Sequence, residues 1–156
     1  METMNREHQI IIVGCGPVGA ALSIELGLRG IPVAVLEKYD EPQPIPKGQN
    51  LTQRTLEHFY FWNIEEQLRS ARTMPRDFPI GGVTAYGTLI SEYAYPWLNR
   101  GLVKDYYYTA HERLPQYATE RVLRQKMAAL PTVDVYYGFE AETISQSISG
   151  VTVDSR

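Results

Sequence analysis

The residues best equipped to do chemistry are three glycines and a carboxylate. Gly14, Gly16 and Gly19 stand in a Gly-x-Gly-x-x-Gly spacing, and Glu37 follows 23 positions after the first of them. Each glycine has a separate task in such a loop. Gly14 makes a sharp turn, Gly16 has no Cβ to keep a diphosphate from the backbone, and Gly19 lets a helix pack close to a strand. A helix opening at Pro17 and Val18 would present free N–H groups and a partial positive charge to phosphate. A carboxylate one strand further on accepts hydrogen bonds from an adenosine ribose and disfavours a 2′-phosphate. Glu37 fits that task, with Lys38 beside it. Cys15 occupies a variable slot in the loop, where a small side chain fills space.

The elements that must position these residues are legible around them. "QIIIV" at 9–13 reads as a buried strand. Pro17 suits the first position of a helix, where a missing N–H costs nothing. Val18, Ala21, Leu22, Leu26 and Leu28 form an apolar stripe, and Gly30 ends the helix. "VAVLE" is a second buried strand. Residues 9–38 therefore predict a parallel, right-handed βαβ unit. The fold class expected is α/β: a Rossmann-like three-layer domain with a parallel sheet and an added β segment, one domain over 1–156.

Further along, "YDEPQPIPKGQN" is a proline-rich loop. A helix is predicted from about Thr52, with Leu56, Phe59 and Tyr60 on its apolar face. It breaks near Asn63 and resumes in "IEEQLRSA". "RTMPRDFPIGG" is another loop. Short strands with turns at Gly87, Pro96 and Gly101 are expected from Val83 to Tyr108. A helix follows over about Ala118 to Leu130, with Leu123, Met127 and Leu130 on one face, stopped by Pro131. "VDVYYG" is a strand, and "TISQSISGVTVD" a hairpin turning at Ser149-Gly150.

The totals exclude several classes. The chain has 156 residues, 44% hydrophobic and 21% charged, with a net charge of −3. Scattered basic residues and a negative balance argue against a nucleic-acid surface. Cys15 is the only cysteine, which forbids an intrachain disulfide and argues against a cysteine metal site. No metal site is expected: His8, His58 and His111 lack ligand spacing. "METMNREHQI" has no apolar signal core, and no run approaches the roughly 18 apolar residues of a membrane span. A cytoplasmic protein without a membrane partner is the expectation. Glu65-Glu66 reads as a solvated helix face, and Glu112-Arg113 as either a local ion pair or loop decoration. The eleven tyrosines crowd toward the middle, and either a ligand-facing surface or cross-strand packing accounts for them.

The "IIIVGCGPVGAALSIELGLRGIPVAVLEK" run resembles the FAD-dependent aromatic hydroxylases, the single-component flavoprotein monooxygenases related to p-hydroxybenzoate and phenol hydroxylase. "PKGQNLTQRTLE", "RLPQYATERVLRQKM" and "VDVYYGFEAETISQSISGVTV" extend the resemblance over most of the chain. It implies FAD as cofactor, NAD(P)H as co-substrate, O₂ and a small aromatic substrate. It implies that Gly14, Gly16, Pro17, Val18 and Gly19 form the pyrophosphate loop and that Glu37 and Lys38 hold the adenosine ribose. Lys47 would approach the FAD phosphates, or the flavin as it moves, Gln49 on the same loop would be a further cofactor contact, and Gln116 would contact the ribityl chain. Lys47 stands where the family usually has arginine, and lysine cannot supply a bidentate fork. The family's second fingerprint, Gly-Asp followed by Ala-Ala-His, and its Asp-Gly motif do not occur. The chain is thus expected to be the N-terminal, FAD-binding portion of a longer oxidoreductase, partnered by the missing C-terminal portion and possible as a homodimer. No catalytic acid or base can be named. Two other readings stay open: an NAD-binding Rossmann domain of a dehydrogenase or reductase, and a non-catalytic fragment.

Overall fold

The computed structural model describes residues 8–73, 75, 83–88, 90–96 and 100–156. In chain order the elements are β1 (Ile10–Val13), α1 (Pro17–Leu28), β2 (Val33–Glu37), β3 (Asn50–Leu51), α2 (Gln53–Phe61), α3 (Glu65–Ser70), β4 (Val83–Ala85), β5 (Ala94–Pro96), α4 (Arg100–Val103), β6 (Glu112–Arg113), α5 (Gln116–Ala128), β7 (Val133–Tyr137), β8 (Ala141–Gln146) and β9 (Val151–Ser155). They fall into two compact units. One joins Met1–Lys47 to Pro115–Arg156, and the other is Gly48–Leu114.

The first unit is built on a parallel sheet in the order β1-β2-β7. Ile10 pairs with Val33, and Val33 in turn with Val133. Right-handed crossovers put α1 and α5 on the same face, where they pack on each other. Ala20, Ser23, Ile24 and Gly27 of α1 and Val122, Leu123 and Met127 of α5 are buried, as are Val33 and Val35 of β2. Burying a side chain such as Ile24 stabilises the fold by roughly 2–3 kcal/mol. Gly27 sets the helix-to-sheet distance, since a Cβ there would lie 2.5 Å from Val133 Cγ2. The predicted βαβ unit is thus present.

The predicted stripe on α1 is not the buried one. Val18, Leu22 and Leu28 are exposed, and the buried face runs through Ala20, Ser23, Ile24 and Gly27. The helix is apolar nearly all round, so periodicity does not single out a face. Close approach to the sheet selects the small residues instead. Ser23 is satisfied there by donating to the Ala20 carbonyl at 2.8 Å. After β7 the chain forms the expected hairpin, β8 antiparallel to β9. Its turn closes with the Ser147 N–H on the Gly150 carbonyl at 2.8 Å.

In the second unit, Thr52 caps α2, its hydroxyl accepting from the Thr55 N–H at 3.3 Å. Asn63 breaks the helix with a φ of 57°. Leu56, Phe59, Trp62, Ile64, Leu68 and Leu114 are buried. Tyr60, expected on the apolar face, is exposed and lies 4.6 Å from the Tyr108 ring.

Glu112 is neither a simple local pair nor loop decoration. It is buried on β6, with Arg69 at 3.0 Å and Arg72 at 2.9 Å. Glu65 is no solvated carboxylate either: it binds Arg69 at 2.6 Å and accepts from the Thr109 hydroxyl. The strands expected from Val83 to Tyr108 are half present. β4 pairs with β5, but Arg100–Val103 is helical and Lys104–Tyr106 a 3₁₀ turn. Tyrosine favours a strand only where a partner strand offers a surface to pack on. The loop predicted at 72–82 lies almost wholly outside the described residues. Among the described residues, no helix is long and apolar enough to cross a membrane.

Candidate functional site

The bend between β1 and α1 is held from below and open from above. Gly14 has a φ of +99°, and its N–H is bound by the Leu36 carbonyl at 2.7 Å. Gly19 is a glycine because a Cβ there would stand 2.0 Å from the Gly14 carbonyl oxygen. Gly16 differs from both. Its backbone is extended at φ −69° and ψ −178°, which any residue adopts, and a Cβ on it would meet nothing within 4 Å. Among the described residues, no neighbour requires glycine at this position. No side chain caps the start of α1, so its first N–H groups stay available to an anion.

Glu37 closes the site from β2. Its carboxylate is largely buried and held by two backbone donors, the Cys15 N–H at 2.6 Å on Oε2 and the Tyr39 N–H at 2.9 Å on Oε1. Each carboxylate oxygen has a second lone pair, so the group can still accept from a ligand hydroxyl. Lys38 pairs loosely with Glu140 at 3.6 Å. The Tyr39 and Glu140 side chains beside it push its pKa up.

A cavity of about 380 Å³ opens against this bend, within the first unit. That volume lies in the usual range for small-molecule sites. Of the sequence-predicted residues, Gly14, Gly16, Glu37, Lys38, Lys47 and Gln116 line it. Pro17, Val18 and Gly19 form the first turn of α1 and are not among its walls; Val18 is 83% exposed. Gln49 belongs to the second unit, where its side-chain oxygen accepts from Arg113 at 3.1 Å.

Two wall residues on α5 escaped the sequence reading: Glu120 and Arg124. With Gln116 they stand at i, i+4 and i+8, the spacing of one helix face. That polar ladder was the available signal, beside the apolar one through Leu123 and Met127. Arg124 donates to the Asp40 carbonyl at 2.6 Å and lies over the Tyr137 ring at 4.5 Å. Beneath the bend the chemistry is muted. Cys15 is fully buried with Sγ 3.8 Å from Met127 Sδ, and burial raises its thiol pKa. Burial likewise pushes the Tyr137 hydroxyl up to about 12. Among the described residues the walls include no histidine, serine or cysteine. Among the described residues, no group of three or more His, Cys, Asp or Glu is arranged to hold a metal ion.

A strand–glycine bend–helix–strand unit with a buried acid at its far end defines a dinucleotide-binding site. The chain belongs to the FAD binding domain family, whose model matches residues 7–156. It is 27% identical over 154 residues, 98% of its length, to the 3-(3-hydroxy-phenyl)propionate/3-hydroxycinnamic acid hydroxylase 2 of Burkholderia vietnamiensis, of which it covers 27%. Over 60 residues, 38% of this chain and 13% of the relative, it is 42% identical to a dialkyldecalin synthase of Streptomyces rugosporus. Its fold matches the flavin-dependent monooxygenase PieE, solved with FAD and substrate, with a TM-score of 0.77 at 20% identity, over 96% of this chain and 27% of that one. The chain spans 26–28% of the length of several relatives that it matches.

Proposed function

We propose that this chain is the FAD-binding portion of a flavin-dependent monooxygenase that hydroxylates an aromatic substrate with NAD(P)H and O₂. Residues 1–156 then form the N-terminal part of one FAD-binding domain. The observation that carries the reading is Gly16, whose missing side chain is required by no neighbour among the described residues and leaves open the space where a diphosphate would approach. In this reading Gly14, Gly16 and the first turn of α1 from Pro17 to Gly19 hold the diphosphate. Glu37 and Lys38 hold the adenosine ribose, Lys47 approaches the phosphates or the flavin as it moves, and Gln116 takes the ribityl chain. The bound flavin supplies the redox and oxygen-activating chemistry. The chain's own part is to bind, orient and exclude water. The monooxygenase part of the proposal rests on the hydroxylase relative. The synthase relative makes turnover, not binding alone, its proper test. A cytoplasmic location, a homodimer and docking of further polypeptide that completes the catalytic half belong to the same proposal.

Titration of the chain with FAD, NAD⁺ and NADP⁺, followed by flavin fluorescence and calorimetry, tests the cofactor. FAD should bind, ADP should compete, and NADP⁺ should bind weakest because Glu37 repels its 2′-phosphate. Binding of NAD⁺ in preference to FAD would favour the dehydrogenase reading. NAD(P)H oxidation stimulated by a phenolic acid, measured on the full-length protein, tests the activity.

A further inference from the structure

We infer that Glu120 is a positioning residue that fixes the Gln116 carboxamide with its oxygen presented to the ligand. The inference rests on the FAD reading above. Glu120 is only 7% exposed and lines the same cavity as Gln116. A buried carboxylate is costly unless hydrogen-bonded. Its bond comes from Gln116, one helical turn earlier, whose Nε2 donates to Glu120 Oε1 at 2.7 Å. Arg124, one turn later, makes no ion pair with it. That guanidinium donates to the Asp40 carbonyl and lies over the Tyr137 ring.

A carboxylate only accepts. The amide nitrogen of Gln116 must therefore face it, and the flipped rotamer, oxygen against oxygen, is excluded. Gln116 is left with Oε1 and one amide hydrogen for the ligand. An amide oxygen accepts from hydroxyls and repels phosphate oxygens, and the negative charge of Glu120 behind it adds to that discrimination. The pair therefore selects a polyol at this end of the cavity. The FAD reading gives Gln116 the ribityl chain, so the polyol is the one lying beyond the diphosphate, which FAD has and ADP lacks.

The test is a double-mutant cycle on E120A and Q116A, with dissociation constants for FAD and for ADP. E120A should weaken FAD roughly tenfold, the worth of one misdirected hydrogen bond, and leave ADP within twofold. E120Q should recover most of the FAD affinity, because its carboxamide oxygen still accepts from Gln116 Nε2. The double variant should bind FAD no more weakly than Q116A alone. Equal losses for FAD and ADP, or losses that add in the double variant, would overturn the inference. Should E120A lose a cooperative unfolding transition, E120M, closer in volume, takes its place in the same cycle. Wild-type chain that binds neither ligand removes the functional reading itself. Wild-type binding with an indifferent E120A removes only the role of Glu120.

Discussion

Gly16 and Gly19 sit three residues apart in one motif, yet the structure assigns them opposite sensitivities. A methyl group at position 19 collides with the Gly14 carbonyl. G19A should therefore destabilise the chain by about 3 kcal/mol, in the range of overpacking and backbone displacement. A methyl group at position 16 meets open space on ordinary backbone. G16A should leave stability unchanged to within about 0.5 kcal/mol and weaken FAD binding at least tenfold. Urea denaturation and flavin titration on the two variants separate these outcomes. A destabilised G16A that still binds FAD would refute the ligand explanation of that glycine. This part of the site is legible in sequence because each glycine answers a local constraint. Glu120 is less so: its i+4 spacing puts it on the helix face of Gln116, but does not say that it is buried there. The grip of the Cys15 amide on Glu37 is not, since it joins residues 22 apart.

Among the elements, legibility follows length and pairing. The strands β1, β2 and β7 and the helix α5 are long enough for their composition to declare them. The two-residue strands β3 and β6 are not, and they pair only because Asn50 meets Arg113 across the second unit. The same strand, β6, carries Glu112 into its cluster with Arg69 and Arg72. Sequence distance hides such a cluster, since Arg69 and Glu112 are 43 positions apart. E112A leaves two guanidinium groups without their shared carboxylate, and should lower unfolding free energy by about 3 kcal/mol. Chemical denaturation checks this.

Glu65, on α3, adds a pH dependence to the same cluster. Burial pushes its carboxyl up, but the Thr109 hydroxyl and the Arg69 guanidinium pull it further down, so its pKa lies below the ordinary value. A depressed folded pKa stabilises above the ordinary carboxylate range. That contribution is lost as pH falls through the folded value. Between pH 7 and pH 3 the denaturation midpoint of wild type should therefore fall more steeply than that of E65Q. Parallel curves would show that Glu65 is not held as the structure indicates.

At the scale of the whole molecule, the site draws its walls from β1 and the bend after it, β2 and the loop after it, α5 and the segment after β7, all in one unit. Saturating FAD at about 100 times its dissociation constant should add about 2.7 kcal/mol to the stability of that unit. Amide hydrogen exchange should slow in β1, β2 and α5 together. Slowing confined to 48–114 would place the ligand elsewhere. The class of fold is legible from residues 9–38 alone, because a parallel strand pair with a short helical crossover has few alternatives. The division into two units is not, for the proline-rich loop that holds Lys47 reads as an ordinary connection, and nothing in the sequence says that the chain returns to the first unit at Pro115.

That division has a consequence for how the protein is made. The first unit is interrupted in the chain: its opening segment is finished at Lys47, and its closing segment starts only at Pro115. On a ribosome the glycine bend emerges long before α5 and β7, and during that interval the central strand β2 lacks one of its two neighbours. A nascent chain halted before Pro115 should therefore be sensitive to protease and indifferent to flavin. Resistance should arrive abruptly once β7 has cleared the exit tunnel, not grow in proportion to length.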